Sequence, residues 1–459
     1  MDSTRGATIT PLESDADQLH AALTESNEEL ARALVWQIDD DQAEQLFEML
    51  STEEVDALFR LIGNDRFADL LVRLEDQQAA DVLEQFPVDR AADLLEEIDP
   101  DDAADIFSEL DARLSGDILV AMEPDEADEI RELLAWPPDT AGGIMTPAFV
   151  SISPTMRADQ AIAALRKVSE EAETINYVYV TDGDDNLLGV LSLHKLVLTR
   201  PHTPVGELMF TRPVTIHAAA DQEKAAKTLV ENDLLAIPVV DDENHILGII
   251  TVDDVAEVLE REATEDIERL GGSAPLTEPY LLASPIHIFR KRVVWLFLLF
   301  MAQFATVSVI GHYDSLLTQF TVLSFFIPIL IGTGGNIGSQ TVTTLIRAIG
   351  VGEVGPRHAA LVFWKELRTG VMLGLVMAGL MFFRALLVGS STTDIAVTVG
   401  CAVFVIAVWA ASVGSLLPLV LVRLKVDPAV VSAPLISSLV DATGLMIYFS
   451  FATLMLDLT

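Results

Sequence analysis

Apolar and polar positions change their pattern several times along the 459 residues. Residues 1–24 are polar with little apolar periodicity and are expected to form a disordered lead-in. From 25 to 136 apolar residues come in short helical blocks, clearest as Ala79-Ala80-Asp81-Val82-Leu83, Ala91-Ala92-Asp93-Leu94-Leu95 and Ala103-Ala104-Asp105-Ile106-Phe107, each twelve residues after the last. Pro87, Pro100 and Pro124 stand at the junctions, where proline can start a helix but not continue one, and Asp99 and Asp101 are natural caps beside them. The pattern predicts an all-α superhelix whose units bury their apolar faces on one another.

After Pro137-Pro138 short β-branched runs alternate with helical ones, and the segment repeats itself over 137–200 and 201–260. Ile144-Met145-Thr146-Pro147 matches Leu208-Met209-Phe210-Thr211, and Leu188-Gly189-Val190-Leu191-Ser192 matches Leu247-Gly248-Ile249-Ile250-Thr251. Two α/β copies of order β-α-β-β-α result, and they resemble a tandem pair of CBS domains. That resemblance implies an adenine nucleotide such as ATP, held by a Ser/Thr and an Asp three residues on. Thr251 and Asp254 fit, while Ser192 is followed by Lys195. Helix capping by Thr251 and Asp253 explains the same spacing and stays open as the alternative.

Residues 253–272 predict a long connecting helix ended by Gly271-Gly272, acidic on more than one face. Beyond it, 281–459 reads as an all-α membrane domain with five stretches long enough to cross a bilayer, near 293–312, 318–341, 369–389, 394–422 and 429–453. Basic residues flank alternate loops: Arg290-Lys291-Arg292, then Arg347, Arg357, Lys365 and Arg368, then Arg423 and Lys425. The positive-inside rule therefore places the N-terminal domains in the cytosol and the C-terminus outside the cell membrane. The first long apolar stretch lies almost 300 residues in, so no secretory signal is expected.

Charge sharpens the division. The first 280 residues hold 63 of the 70 Asp and Glu and 18 of the 28 Lys and Arg, a charge of −45, against +3 for the remainder. A surface adapted to high salt accounts for such acidity, and so do carboxylates that form cation sites between domains; either way nucleic acid is repelled. The single Cys401 excludes an internal disulfide framework, and no His, Cys or Ser constellation suggests an enzyme.

Three features within the apolar spans carry chemistry. Asp441 lies in PLISSLVDATGLMIYF, where a carboxylate at bilayer depth costs about 3 kcal/mol on insertion scales and marks a functional site or a buried ion pair, here with Arg384. Gly332-Thr333-Gly334-Gly335-Asn336-Ile337-Gly338-Ser339-Gln340 permits either close helix packing or local unwinding that bares carbonyls to an ion path. Pro418, Pro428 and Pro434 are expected to kink helices.

Taken in order, the helical repeats, AGGIMTP, TVDDV, EATEDIERLGG, GTGGNIGSQ and SLVDATGLMIYF resemble the MgtE family of magnesium channels over almost the whole chain. The resemblance implies a homodimer with a Mg²⁺ pore between its membrane domains. Asp441 from each subunit would hold hydrated Mg²⁺, with Asn336, Thr343, Gly334 and Gly335 along the path. It implies regulatory Mg²⁺ on Asp69, Asp101, Asp105, Glu223, Asp233, Asp254 and Glu257, and on Glu262, Glu265 and Asp266 of the connecting (plug) helix. Ser339 and Ala433 stand where members often carry Asn, and Lys224 replaces an acidic residue. An ion-coupled transporter and a membrane-anchored nucleotide sensor are the competing readings. The first needs a second intramembrane ion site; the second predicts transport indifferent to Asp441.

Overall fold

Each twelve-residue block folds as one short helix in the computed structural model, which describes residues 15–24, 27–38, 40–168, 172–276, 280, 283–388 and 392–456. The chain divides into two compact units, Met1–Glu260 and Arg261–Thr459. The first begins with α1 (Asp15–Thr24), α2 (Glu28–Val35), α3 (Asp40–Met49), α4 (Thr52–Ile62) and α5 (Asn64–Leu71). It continues with α6 (Asp76–Leu83), α7 (Val88–Leu95), α8 (Pro100–Glu109), α9 (Ala112–Ala121) and α10 (Pro124–Leu133).

The repeated motif sets the packing. Ala79, Ala80, Val82 and Leu83 of α6 and their counterparts in α7 and α8 are buried, whereas Asp81 and Asp93 face outward. Positions i, i+1, i+3 and i+4 share one helix face, and each helix lays it on the next but one, α5 on α7, α6 on α8 and α7 on α9. Residues 15–24 are helical, contrary to a disordered lead-in, because Ala16, Leu19 and Ala22 fall on one face and are buried in the same core. Residues 1–14 lie outside the described residues.

The two α/β copies follow: β1 (Ser151–Ile152), α11 (Ala158–Val168), β2 (Tyr177–Thr181), β3 (Leu187–Ser192) and α12 (Leu193–Leu198), then α13 (Val205–Leu208), β4 (Ile216–His217), α14 (Gln222–Glu231), β5 (Ala236–Val240) and β6 (Ile246–Thr251). Each sheet has a parallel first pair and an antiparallel second pair, in the order β1-β2-β3 and β4-β5-β6. The segments leading into the copies are exchanged. Thr146 pairs with Ile249 of the second copy through N–H···O bonds of 2.8 and 2.9 Å, and Phe210 pairs with Val190 of the first at 2.8 and 3.0 Å. This explains the repeated glycine: a Cβ on Gly189 would lie 2.6 Å from the Phe210 carbonyl oxygen, and one on Gly248 would lie 2.7 Å from that of Thr146. Backbone atoms cannot yield cheaply, so Gly248→Ala is expected to destabilise this unit by about 1–3 kcal/mol. Gly183→Ala, with open space around its Cβ position, is the neutral control, and thermal melting reads the difference.

After β6 runs α15 (Val252–Gly271). The second unit then holds α16 (Pro285–His312), α17 (Asp314–Gln319), α18 (Ile327–Gly350), α19 (Ala359–Leu386), α20 (Thr393–Arg423) and α21 (Ala433–Met455). Among the described residues, five of its helical stretches are long and apolar enough to cross a membrane. Helix ends depart from the hydropathy reading. The second stretch breaks into α17, a 3₁₀ turn over 321–326 and α18, whose first turn carries Pro328. α19 begins ten residues early, because Lys365, Glu366 and Arg368 mark a membrane border rather than a helix end. Pro428 and Pro434 start elements instead of kinking them, and Pro418 alone of the three lies inside a helix.

Candidate functional site

Helix α18 stays unbroken through its glycine run, so unwinding is not what the small residues serve. A Cβ on Gly334 would meet Val440 at 2.8 Å and Ile406 at 2.9 Å, one on Gly335 would meet Ser437 at 3.1 Å, and one on Gly338 would meet Ile436 at 2.6 Å. Gly334 and Gly335 are therefore buried packing positions against α20 and α21. The opposite side of α18 is exposed and polar, carrying Asn336, Gln340, Thr343 and Arg347 at helical spacing. Ser339, on the flank, donates to the Ala433 carbonyl at 3.2 Å and meets Ser437 at 3.2 Å, so the two departures from the family pattern touch each other.

Asp441 is only 8% exposed, at mid-length of α21. Its partner is not Arg384, which is exposed and makes no ion pair among the described residues, but Gln303 of α16. The Gln303 amide nitrogen donates to Asp441 Oδ2 at 3.3 Å and reaches Ser438 Oγ, one turn earlier, at 3.4 Å. Among the described residues no hydrogen bond joins Asp441 to Asn336 or Thr343.

The second candidate site lies in the first unit, where α8 and α15 start. The family resemblance named Asp101, Asp254 and Glu257 there; the structure adds Asp99, Asp102, Asp253 and, from the loop before β2, Glu173. Burial, then the Asp254 charge, pushes Asp101 up to about 7. Burial, then Asp101, pushes Asp102 up to about 8. Glu173 rises to about 7, mainly by burial and then by Asp99 and Asp101, and burial also raises Asp99 and Asp254. Asp99 holds the N-cap position of α8 without a side-chain capping bond, and Asp101 Oδ1 is buried with no hydrogen-bond partner, so neither serves as the expected cap. Buried acceptors left without donors are uncommon, and an all-oxygen donor set suits a hard cation such as Mg²⁺.

Thr251 and Asp254 are engaged with each other. Asp254 Oδ2 accepts from the Thr251 amide at 3.0 Å and its hydroxyl at 2.6 Å, and Thr251 Oγ is 2.5 Å from Asp253. That is capping geometry at the start of α15, with Asp254 also belonging to the carboxylate group. Ser192 caps α12 differently, its hydroxyl accepting the Lys195 amide at 3.3 Å.

The remaining residues are dispersed. Asp69 pairs with Arg66 at 2.7 Å and Glu223 with Lys227 at 2.5 Å. Asp233 sits exposed in a left-handed conformation, φ 52°, after α14, and Asp105 lies one turn beyond Asp101. Glu262, Glu265 and Asp266 occupy the later turns of α15, where Arg269 pairs with both Glu265 and Asp427 and so ties that helix to the loop before α21. A Cβ on Gly350 would lie 3.5 Å from Asp266 Oδ2, which puts that carboxylate beside the negative end of α18. Asp241, Glu243 and His245 bring ligand atoms within 4.8 Å, but Asp241 there accepts the Glu243 and His245 amides at 2.9 and 2.8 Å, as Asp182 accepts those of Asp184 and Asn186 in the matching hairpin. Turn formation accounts for both.

Family models match three parts of the chain: residues 327–451 a divalent cation transporter, MgtE; 38–139 the MgtE intracellular N domain; 141–200 and 205–261 the CBS domain. The chain is 39% identical over 340 residues to the magnesium transporter MgtE of Thermus thermophilus, covering 73% of this chain and 74% of that one. It is similar to the crystal structure of the soluble part of a magnesium transporter, with 33% identity and a TM-score of 0.51 over 55% of this chain and 99% of the other. The cytosolic domain of the Mg²⁺ channel MgtE in complex with ATP is likewise similar, with 32% identity and a TM-score of 0.50 over 53% and 99%.

Proposed function

The chain belongs to the MgtE family of divalent cation transporters, a multi-pass membrane protein, and on that premise we propose that it is a Mg²⁺-selective channel of the cell membrane that cytosolic Mg²⁺ closes. The observation that carries this reading is Asp441, an acidic side chain enclosed at mid-length of an apolar helix bundle. Two copies in a homodimer supply a pair of carboxylates to one still-hydrated Mg²⁺, an ion that gives up its water reluctantly. On this reading the exposed polar side of α18, with Asn336 and Thr343, lines the same path.

Gating follows from charge. The carboxylates at the starts of α8 and α15 repel one another when ionised, and Mg²⁺ bridging them favours the compact, closed form. Asp69, Asp105, Glu223 and Asp233, and Glu262, Glu265 and Asp266 of the plug helix, extend the sensing surface. The relative bound to ATP supports an adenine nucleotide at the CBS pair; on this reading Thr251 and Asp254 hold it. The N-terminal domains are cytosolic and the C-terminus lies outside, as the basic loops dictate.

Vesicles holding the purified protein, with Mg²⁺ as the only ion out of balance, test the transport step. A channel admits Mg²⁺ down its own gradient; an uptake that requires a sodium or proton gradient would overturn the channel reading.

A further inference from the structure

The Asp441 carboxylate is held from one side only, and by a residue on another helix. Gln303 donates to Oδ2 at 3.3 Å and touches Ser438 on the same face of α21, while Oδ1 has no protein donor among the described residues. Helix α16 is otherwise apolar around this point; Phe300, Met301, Phe304 and Val307 are all exposed on its outer surface. A lone amide at bilayer depth is costly unless it is bonded, and here its bond goes to Asp441, the acidic side chain buried at mid-length of α21.

We propose that Gln303 is a positioning residue for Asp441: by fixing Oδ2 it sets the direction of Oδ1, the oxygen left to accept from the water shell of a divalent cation. The idea rests on the pore reading of Asp441 and goes beyond it, because it assigns part of the ion site to α16. Hydrated Mg²⁺ is recognised through the orientation of acceptors around it, so a carboxylate free to rotate binds it more weakly. Helix α16 also receives the chain leaving α15, with the Ala274 amide donating to the Lys291 carbonyl at 3.1 Å, so a shift of α16 would turn the carboxylate.

The test is Mg²⁺ uptake by the full-length protein in vesicles for wild type, Gln303→Met, Gln303→Asn and Asp441→Asn, with melting temperatures measured alongside. Methionine keeps the volume and loses the donor; asparagine keeps the amide but is one methylene short. Both are expected to raise the KM for Mg²⁺ about tenfold, the lower end of the value of a hydrogen bond to a charged group, with little change in maximal rate or melting. If Gln303→Met fails to fold, Gln303→Asn decides. Wild-type KM in a folded Gln303 variant, alongside loss of uptake in Asp441→Asn, overturns the positioning role alone. Normal uptake by Asp441→Asn overturns the pore reading beneath it.

Discussion

Asp441→Asn is expected to lower Mg²⁺ flux about a hundredfold, ~2.7 kcal/mol, the scale on which a desolvated charge partner is missed. Asparagine is the informative replacement. It removes the charge yet keeps an oxygen for Gln303, so the bundle loses neither volume nor its tie between α16 and α21. Alanine would leave the Gln303 amide without its acceptor and confuse stability with conduction. Isotope or fluorescent-indicator flux at matched protein density reads the effect, and unchanged melting assigns it to the path.

The second large effect concerns the carboxylates of α8 and α15. With Asp101, Asp102 and Asp254 all replaced by asparagine, the Mg²⁺ response should disappear. Wild-type protein gains about 2.7 kcal/mol of stability at Mg²⁺ a hundredfold above its dissociation constant, whereas the triple variant should gain almost nothing. Protons give an independent readout. Asp101, Asp102 and Glu173 are raised to about 7, 8 and 7, so they favour the folded state while protonated. That contribution is complete below the ordinary carboxylate range and is lost as pH rises through about 7 to 8. Metal-free wild type should therefore weaken toward pH 8.5, Mg²⁺ should bind more tightly there than at pH 6.5, and binding near neutrality should release protons. In the triple variant all three trends flatten; if they persist, the sensing carboxylates lie elsewhere.

Much of this architecture is legible in the chain because burial imposes period. The Ala-Ala-Asp blocks announce helices with one apolar face, and the paired Leu-Gly motifs announce two related sheets, with the glycines demanded by backbone from the other copy. What escapes is whatever has no period. α1 hides three buried residues in a polar stretch. Asp99 precedes a proline and looks like a cap, Asp102 follows Asp101 on the same short helix, and Glu173 joins them from a distant loop, an encounter set by tertiary packing alone. Gln303 left one signal that was available: a single amide in an apolar span, which by the same reasoning that singled out Asp441 calls for a partner. The glycine run of α18 left two readings open, and continuity of the helix favours packing.

The most direct measurement is Mg²⁺ current through a planar bilayer containing the wild-type protein, with Mg²⁺ the only permeant cation and its concentration on the cytosolic side stepped from micromolar to millimolar. A channel closed by cytosolic Mg²⁺ carries current without any sodium or proton gradient when cytosolic Mg²⁺ is low, and the current falls as that concentration rises. Current indifferent to cytosolic Mg²⁺, or flux that stops when other ion gradients are collapsed, would contradict the proposed channel.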